Sequence, residues 1–508
     1  LIDPQASPRE SQEAAVERLG RGASLALLGS VLGRVVNFVG QVVVARWLGP
    51  AMLGLYALGW GAFRLLSLPA TLGINNGLQR FGSISRSRAG FGGKELLRRA
   101  LGLTLATSGL VGLGLVAASP WLSTRVYGEE RLLPILVVFG LALPAAAVLR
   151  VAAAATRVSQ DLRASVVLED FGQPFLFAVL AALILNAGAG VLGVAAAAAL
   201  SFALVAPFAF VWARRWFPRS DVSEPVGSPW VSASVLVRYS VPTALAGTVG
   251  VTMTWLDRLL VGYYMPSEAV GWYQVAAQAS GAFAVVLGAF SAIFGPMIAG
   301  LLERGERERL QELFRVATKW GVLAVLPGAA LCLLFPGPAI VAIFGPDYLP
   351  AAVPLLILVV GQVLTAATGA VGYLLMMGGQ QNLWLGLSLA ALAADIVLNI
   401  VLIPEFGLAG AAAATTLAVG ALYISGLVAV RRQLGLWPYD RRFLGVAATV
   451  VVALGGSAML HLASGLGPLA TVLAVVLAAA GLTLVGWRLF CFGDEDRLLF
   501  STLARLGR

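Results

Sequence analysis

The sequence predicts an all-α polytopic membrane protein with about 14 transmembrane helices: two six-helix repeats, an N-lobe and a C-lobe, plus two C-terminal helices. Three observations predict it. The 508-residue chain is 59% hydrophobic and only 12% charged, whereas soluble globular chains are about a quarter charged. Apolar runs of about 20 residues, long enough to cross a bilayer, recur from end to end. The chain also matches itself at a constant offset of 217 residues. A large soluble all-α protein would need amphipathic helices with polar outer faces, and the sequence lacks them.

Taken in order, residues 1–22 hold Arg9, Arg18 and Arg21 and lack the apolar core of a signal peptide, so they read as a cytoplasmic lead-in. Spans are expected at 23–46, 52–76, 100–119, 132–153, 167–187 and 191–213, an N-terminal six-helix bundle over 23–213. The stretch 214–237 contains Pro218, Ser220, Asp221, Pro225, Gly227 and Pro229, the composition of a cytoplasmic linker. Spans at 238–264, 269–299, 314–336, 351–376, 384–402 and 408–430 form the C-terminal bundle over 238–430. Spans 443–463 and 468–490 are two extra helices over 443–490, and 491–508 is a cytoplasmic tail whose Asp494-Glu495-Asp496 cluster reads as solvated.

Lysine and arginine set the orientation. All but six of the 35 fall in segments that share one side when the N-terminus is cytoplasmic; the six are Arg34, Arg46, Arg64, Arg125, Arg131 and Arg258. The formal charge of +10 therefore reflects topology in a cell (inner or plasma) membrane, with both termini cytoplasmic, and calls for no nucleic-acid partner. Juxtamembrane arginines meet anionic membrane lipids. Cys332 and Cys491 fall at opposite ends of different spans, so no disulfide is expected, and the lone His461 excludes a histidine metal cluster. There is no phosphate loop or His-Glu-x-x-His motif and no loop large enough for a catalytic domain. No enzyme activity is expected.

The offset of 217 superposes Gly54 on Gly271, Tyr56 on Tyr273, Gly128 on Gly345, Gly190 on Gly407, Gly193 on Gly410, and Arg214-Arg215 on Arg431-Arg432. With 59 glycines, glycine matches alone would mean little, but Gly-x-Tyr and Arg-Arg at the same offset mean more. Six spans per repeat is an even number, so the halves share one orientation. Transporters built from repeats place substrate where the halves meet, near mid-membrane.

Charges at that depth are the candidates. Arg34 and Arg64 lie near the middle of the first two spans, and Arg258 in the outer third of the seventh. A guanidinium there costs ~2.5–3.5 kcal/mol on insertion scales. Its functional reading is recognition of an anion, because the planar fork suits phosphate oxygens. The alternative is pairing with a carboxylate or with helix-end carbonyls, which Asp257 offers Arg258. Asn37 and Gln41 follow Arg34 at helical spacing, giving a polar stripe, so Arg34, Arg64, Arg258, Asn37 and Gln41 are the substrate-binding candidates. Asp257, Asp395, Asn399 and Thr416, with Thr415 beside it, are the cation candidates: Asp395 and Asn399 share a helix face, and all offer the oxygen ligands of a hard cation. Their alternative is an Asp257–Arg258 pair with packing hydrogen bonds. By the repeat, Gly40 and Ala178 stand where the second half has Asp257 and Asp395, and Val251 and Gly281 where the first has Arg34 and Arg64. Arginines come from one half and acids from the other. Glu169-Asp170, at the inner end of the fifth span, read as solvated head-group acids.

The runs Gly29-Ser-Val-Leu-Gly33-Arg34, Ala45-Arg46-Trp-Leu-Gly49-Pro50 through Gly54-Leu-Tyr56, and Asp257-Arg258 through Gly271-Trp-Tyr273 resemble the polysaccharide (O-antigen, Wzx-type) flippases of the multidrug/oligosaccharidyl-lipid/polysaccharide (MOP) exporter superfamily. The resemblance spans about residues 20–435. It implies two six-helix bundles around a cavity, alternating access, and movement of polyprenyl-diphosphate-linked oligosaccharides from the cytoplasmic to the outer leaflet for lipopolysaccharide or related glycans. It implies that Arg34, Arg64 and Arg258 hold the diphosphate. Related lipid II flippases have a sodium site that Asp257, Asp395, Asn399 and Thr416 match by type. No cofactor is expected beyond Na+ or H+ coupling, and the protein is expected to be a monomer. The rival on the same fold is a cation-coupled multidrug exporter. A membrane glycosyltransferase would need an acidic catalytic motif and sizeable outer loops, and the acids that invite the idea, Asp347 and Glu129-Glu130, sit in short loops.

Overall fold

A computed structural model describes residues 8–87, 93–158, 165–216, 232–440, 443–464, 468–486 and 488. Most of the linker, the tail 491–508 and the first seven residues lie outside them. The described residues are helical, with no strand among them. In order they form α1 (Pro8–Thr71), α2 (Ile74–Ser87), α3 (Gly93–Trp121), a π-helical turn (Leu122–Val126), α4 (Leu132–Val158), a second π-helical turn (Val166–Gly172), α5 (Gln173–Asn186), α6 (Gly190–Trp216), α7 (Ala233–Tyr264), α8 (Ser267–Arg304), α9 (Arg307–Leu334), α10 (Pro336–Phe344), a 3-10 turn (Pro346–Ala351), α11 (Ala352–Thr368), α12 (Val371–Met377), α13 (Gln381–Leu434), α14 (Phe443–Ser464) and α15 (Pro468–Gly486).

Among the described residues, nine helical stretches are long and apolar enough to cross a membrane; this is a multi-pass membrane protein. Two of the nine join neighbouring expected spans. The helix α1 is broken at Gly49 (φ 71°) and α13 at Gly407 (φ 57°). The expected span 52–76 ends earlier, at Leu72 and Gly73 (φ 46° and 67°), so Asn75, Asn76 and Gln79 belong to the separate helix α2. The expected span 351–376 is likewise interrupted at Gly369 (φ 71°).

By its internal contacts the chain divides into two compact units: Leu1–Leu48 with Leu58–Val251, and Gly49–Ala57 with Thr252–Arg508. In the first, α4 packs against α3 and α6, and α5 against α6. Its core includes Leu78, Leu97, Leu149, Ala152 and Ala209, with an aromatic group of Trp60, Phe63, Phe139 and Phe202. In the second, α11 packs against α13, α9 against α11, and α14 against α15, around Phe294, Leu313, Phe314, Leu374 and Val430.

The repeat has a backbone cause. Gly128 (φ 65°) and Gly345 (φ 108°) both occupy the left-handed region, as do Gly190 (φ 60°) and Gly407 (φ 57°), where a Cβ is disfavoured. The pair Gly54 and Gly271 marks a reciprocal crossing inside the second unit. A Cβ on Gly54 would lie 1.6 Å from the Ser267 carbonyl oxygen, and one on Gly271 would lie 2.0 Å from that of Pro50. Pro50 and Ser267 are themselves 217 residues apart.

Candidate functional site

Each unit gathers candidate site residues into a polar cluster. In the first unit it forms where α1, α4 and the π-helical turn Val166–Gly172 come together. Gly29 and Gly33 of α1 let the turn approach: a Cβ on Gly33 would fall 1.9 Å from the Asp170 carbonyl oxygen. Small residues four apart are the usual device for such contact within a membrane. The turn carries Glu169, half-buried and ion-paired with Arg157 of α4. Arg64 and Arg150 stand within electrostatic reach of Glu169, and Arg157 and Arg34 within reach of Asp170. Arg34 itself is exposed, Arg64 and Asn37 are half-buried, and Gln41 is buried, with no hydrogen-bond partner for its carboxamide oxygen among the described residues.

Arg64 is thus within electrostatic reach of Glu169, and Arg34 of its neighbour Asp170. Glu169 and Asp170 are not simply solvated head-group acids, as their place near a span end suggests: the π turn and its glycine seat turn Glu169 onto α4. Arg150 and Arg157 were not legible as site residues, since at the inner end of a span they resemble ordinary orienting charges. The signal that could have found them is their spacing of seven on one helix face.

The second unit holds the other cluster. Asp257 is buried and both its oxygens are used. Oδ1 accepts from the Arg258 backbone N–H (2.8 Å) and from Arg258 Nη1 (3.0 Å), and Oδ2 accepts from the Tyr273 hydroxyl (2.8 Å). Arg258, also buried, donates from Nε to Gln274 (2.6 Å) and from Nη1 to the Thr254 carbonyl, with its guanidinium 4.6 Å from the Trp255 ring centre. The ion pair foreseen as the alternative for Arg258 is formed. Tyr273 and Gln274 complete it; the first was visible in the repeated Gly-x-Tyr and in the Gly271-Trp-Tyr273 motif, without a role.

Asp395 and Asn399 are fully buried on α13. Asn399 Nδ2 donates to the Asp395 carbonyl (2.8 Å) and to its Oδ1 (3.0 Å). Asp395 Oδ2 and Asn399 Oδ1 have no hydrogen-bond partner among the described residues. Asp257 lies within electrostatic reach of Asp395, and Thr415 lies beside the Tyr273 hydroxyl. Thr416 donates to the Ile357 carbonyl of α11 (3.0 Å), so its hydroxyl keeps only acceptor capacity. No three His, Cys, Asp or Glu residues converge among the described residues. Two orphaned oxygens on one helix, with one more acid nearby, suit a singly charged hard cation better than a divalent one, which takes more carboxylates.

The polysaccharide biosynthesis protein family matches residues 43–353, more than half of the chain. The chain belongs to that family. Among its relatives is the probable low-salt glycan biosynthesis flippase Agl15 of Haloferax volcanii, 22% identical over 82% of this chain and 85% of that protein. The probable flippase AglR of the same organism is 29% identical over 35% of this chain and 37% of its own. The fold is that of the MOP superfamily transporters. The lipid II flippase MurJ in an inward closed conformation superposes with a TM-score of 0.66 at 13% identity, over 91% of this chain and 99% of its own. An inward-facing multidrug resistance MATE family transporter does so at 0.65 and 16% identity, over 81% and 98%. Membership of the family matches the resemblance carried by the motifs around Gly54 and Asp257, which lie inside the matched residues; the motif around Arg34 precedes them.

Proposed function

We propose that this protein is a lipid-linked oligosaccharide flippase. It moves polyprenyl-diphosphate-linked glycans from the cytoplasmic to the outer leaflet of the cell membrane by alternating access, as a monomer with both termini cytoplasmic. The observation that carries this reading is the cluster of Arg34, Arg64, Arg150 and Arg157 around two acids, Glu169 and Asp170, among the described residues. It leaves an excess of guanidinium charge, and a diphosphate carries about two negative charges that cannot enter an apolar core unpaired. Fork-shaped, charge-assisted contacts from Arg34 and Arg64 take the phosphate oxygens, with Asn37 and Gln41 offering amides alongside. Arg258 has two of its nitrogens committed to Asp257, Gln274 and Thr254, which leaves it a smaller share of the substrate. The names of the relatives Agl15 and AglR support the same reading.

In this proposal Asp395, Asn399, Asp257 and Thr416 hold a coupling Na+, or the carboxylates take up H+; the ion supplies the drive and the chain's oxygens hold it. The second reading, a cation-coupled multidrug exporter, draws on the buried Asp395 and needs no arginine.

Complementation of a flippase-deficient strain separates the two. Arg34→Ala and Arg64→Ala are expected to stay expressed and membrane-inserted while surface glycan is lost. Lysine at either position should restore it only in part, because it keeps charge without the fork. Well-expressed alanine variants that complement fully would remove the diphosphate role and favour the exporter.

A further inference from the structure

Glu169 is a carboxylate set among arginines, and anion binding by those arginines makes no use of it. Its position is built rather than incidental. It lies in a π-helical turn, an interruption of the regular hydrogen-bond ladder that often marks functional sites. The turn rests directly on α1, where a Cβ on Gly29 would meet Val166 Cγ1 at 2.2 Å and one on Gly33 would meet the Asp170 carbonyl oxygen at 1.9 Å. Held there, Glu169 pairs with Arg157 and lies within electrostatic reach of Arg150 and Arg64, and the neighbouring Asp170 within that of Arg157 and Arg34. Guanidinium groups gathered in one cluster repel one another, and Arg64, Arg150 and Arg157, which are half-buried, lose part of their hydration. A resident carboxylate offsets both costs in the empty protein.

We propose that Glu169 is an internal counter-anion: it occupies Arg157 and its neighbours when no substrate is bound, and yields them to the phosphate oxygens of a phosphoanionic lipid head group when one enters. This rests on the anion-site reading above. The carboxylate weakens substrate binding by competing for the same donors, and it speeds release by recapturing Arg157. A residue with this role gives up affinity for turnover.

The test is binding of farnesyl diphosphate to the full-length protein in lipid nanodiscs, with affinity and dissociation rate both measured. Glu169→Gln is expected to bind roughly tenfold or more tightly, the scale of one charge-assisted hydrogen bond no longer competed for, and to release the probe more slowly. It should complement a flippase-deficient strain poorly despite the tighter binding. A carboxylate that merely props Arg157 in place would show the opposite, weaker binding on its removal. If Glu169→Gln cannot be recovered folded, Glu169→Asp, whose shorter arm loosens the grip on Arg157, should move affinity the same way by a smaller factor. Unchanged or weaker binding in the variant recovered overturns the counter-anion. Failure of the unmutated protein to bind farnesyl diphosphate would remove the anion site and both readings with it. Binding by the unmutated protein with no gain in the variant would remove this inference alone.

Discussion

Asp395 presents a buried carboxylate oxygen, Oδ2, and Asn399 a second buried oxygen on the same helix, neither with a hydrogen-bond partner among the described residues. Leaving such groups unsatisfied costs about 1–3 kcal/mol each, so an occupant that satisfies both stabilises the fold. Thermal unfolding of the detergent-solubilised protein should therefore rise with Na+ when ionic strength is kept constant with choline. At a hundred times the dissociation constant the gain is about 2.7 kcal/mol. Asp395→Asn should abolish the dependence. An unmutated protein whose melting temperature ignores both Na+ and pH would leave these oxygens a purely structural role. Single side chains were legible to different degrees. Arg34 and Arg64 stand out because a charge inside an apolar run has no bland explanation nearby. Arg150, Arg157 and Glu169 did not, because near a span end a charge has a ready explanation in topology, and only the turn's register shows where it points.

At the scale of elements, glycine placement was the most readable feature. Two repeated pairs, Gly128 with Gly345 and Gly190 with Gly407, coincide with left-handed turns, and a third with a helix crossing. The π turns were invisible, since a shift in hydrogen-bond register leaves no mark in composition. Gly54→Val or Gly271→Val would push a side chain into a facing carbonyl. Each should lower stability by more than the ~1–3 kcal/mol of ordinary overpacking, seen as a depressed melting temperature and loss of the monodisperse peak in fluorescence-detected size exclusion. Gly102→Ala, where an added Cβ meets nothing within 4 Å, should be neutral or stabilise by up to about 1 kcal/mol through helix propensity. Equal effects at all three positions would show that the crossing is not tight.

For the whole molecule, the repeat and the charge asymmetry together predict a sidedness. Single cysteines placed between Gly305 and Glu308, in Arg86–Lys94, or in Ser220–Gly227, on a background with Cys332 and Cys491 replaced, should all react with an impermeant maleimide only from the cytoplasmic face. Labelling of the linker from outside would end the six-plus-six arrangement. The 305–308 turn suits the experiment: Gly305 caps α8 in the left-handed conformation (φ 70°), and Glu306 is half-buried, its carboxyl held below the usual carboxylate range by hydrogen bonds from Arg304 and then Arg309. The fold class and family were legible because bilayer-length apolar runs and a long-range offset are global properties. The division into units was less so. Contacts place Gly49–Ala57 with the second unit and divide α7 after Val251, and hydropathy registers span length rather than what a span packs against.

The Gly54–Gly271 crossing also bears on how the two copies of the 217-residue sequence repeat can differ in their side chains. Each helix meets the other through backbone, so neither copy needs a particular side chain from its twin to keep the joint. In the first copy Gly40 lies against Ala178, a Cβ on Gly40 reaching that of Ala178 at 3.0 Å. In the second, the same two positions are Asp257 and Asp395. A joint that rests on backbone places no demand on the charge carried elsewhere in either copy, so Gly40 and Ala178 in one and Asp257 and Asp395 in the other are equally compatible with it.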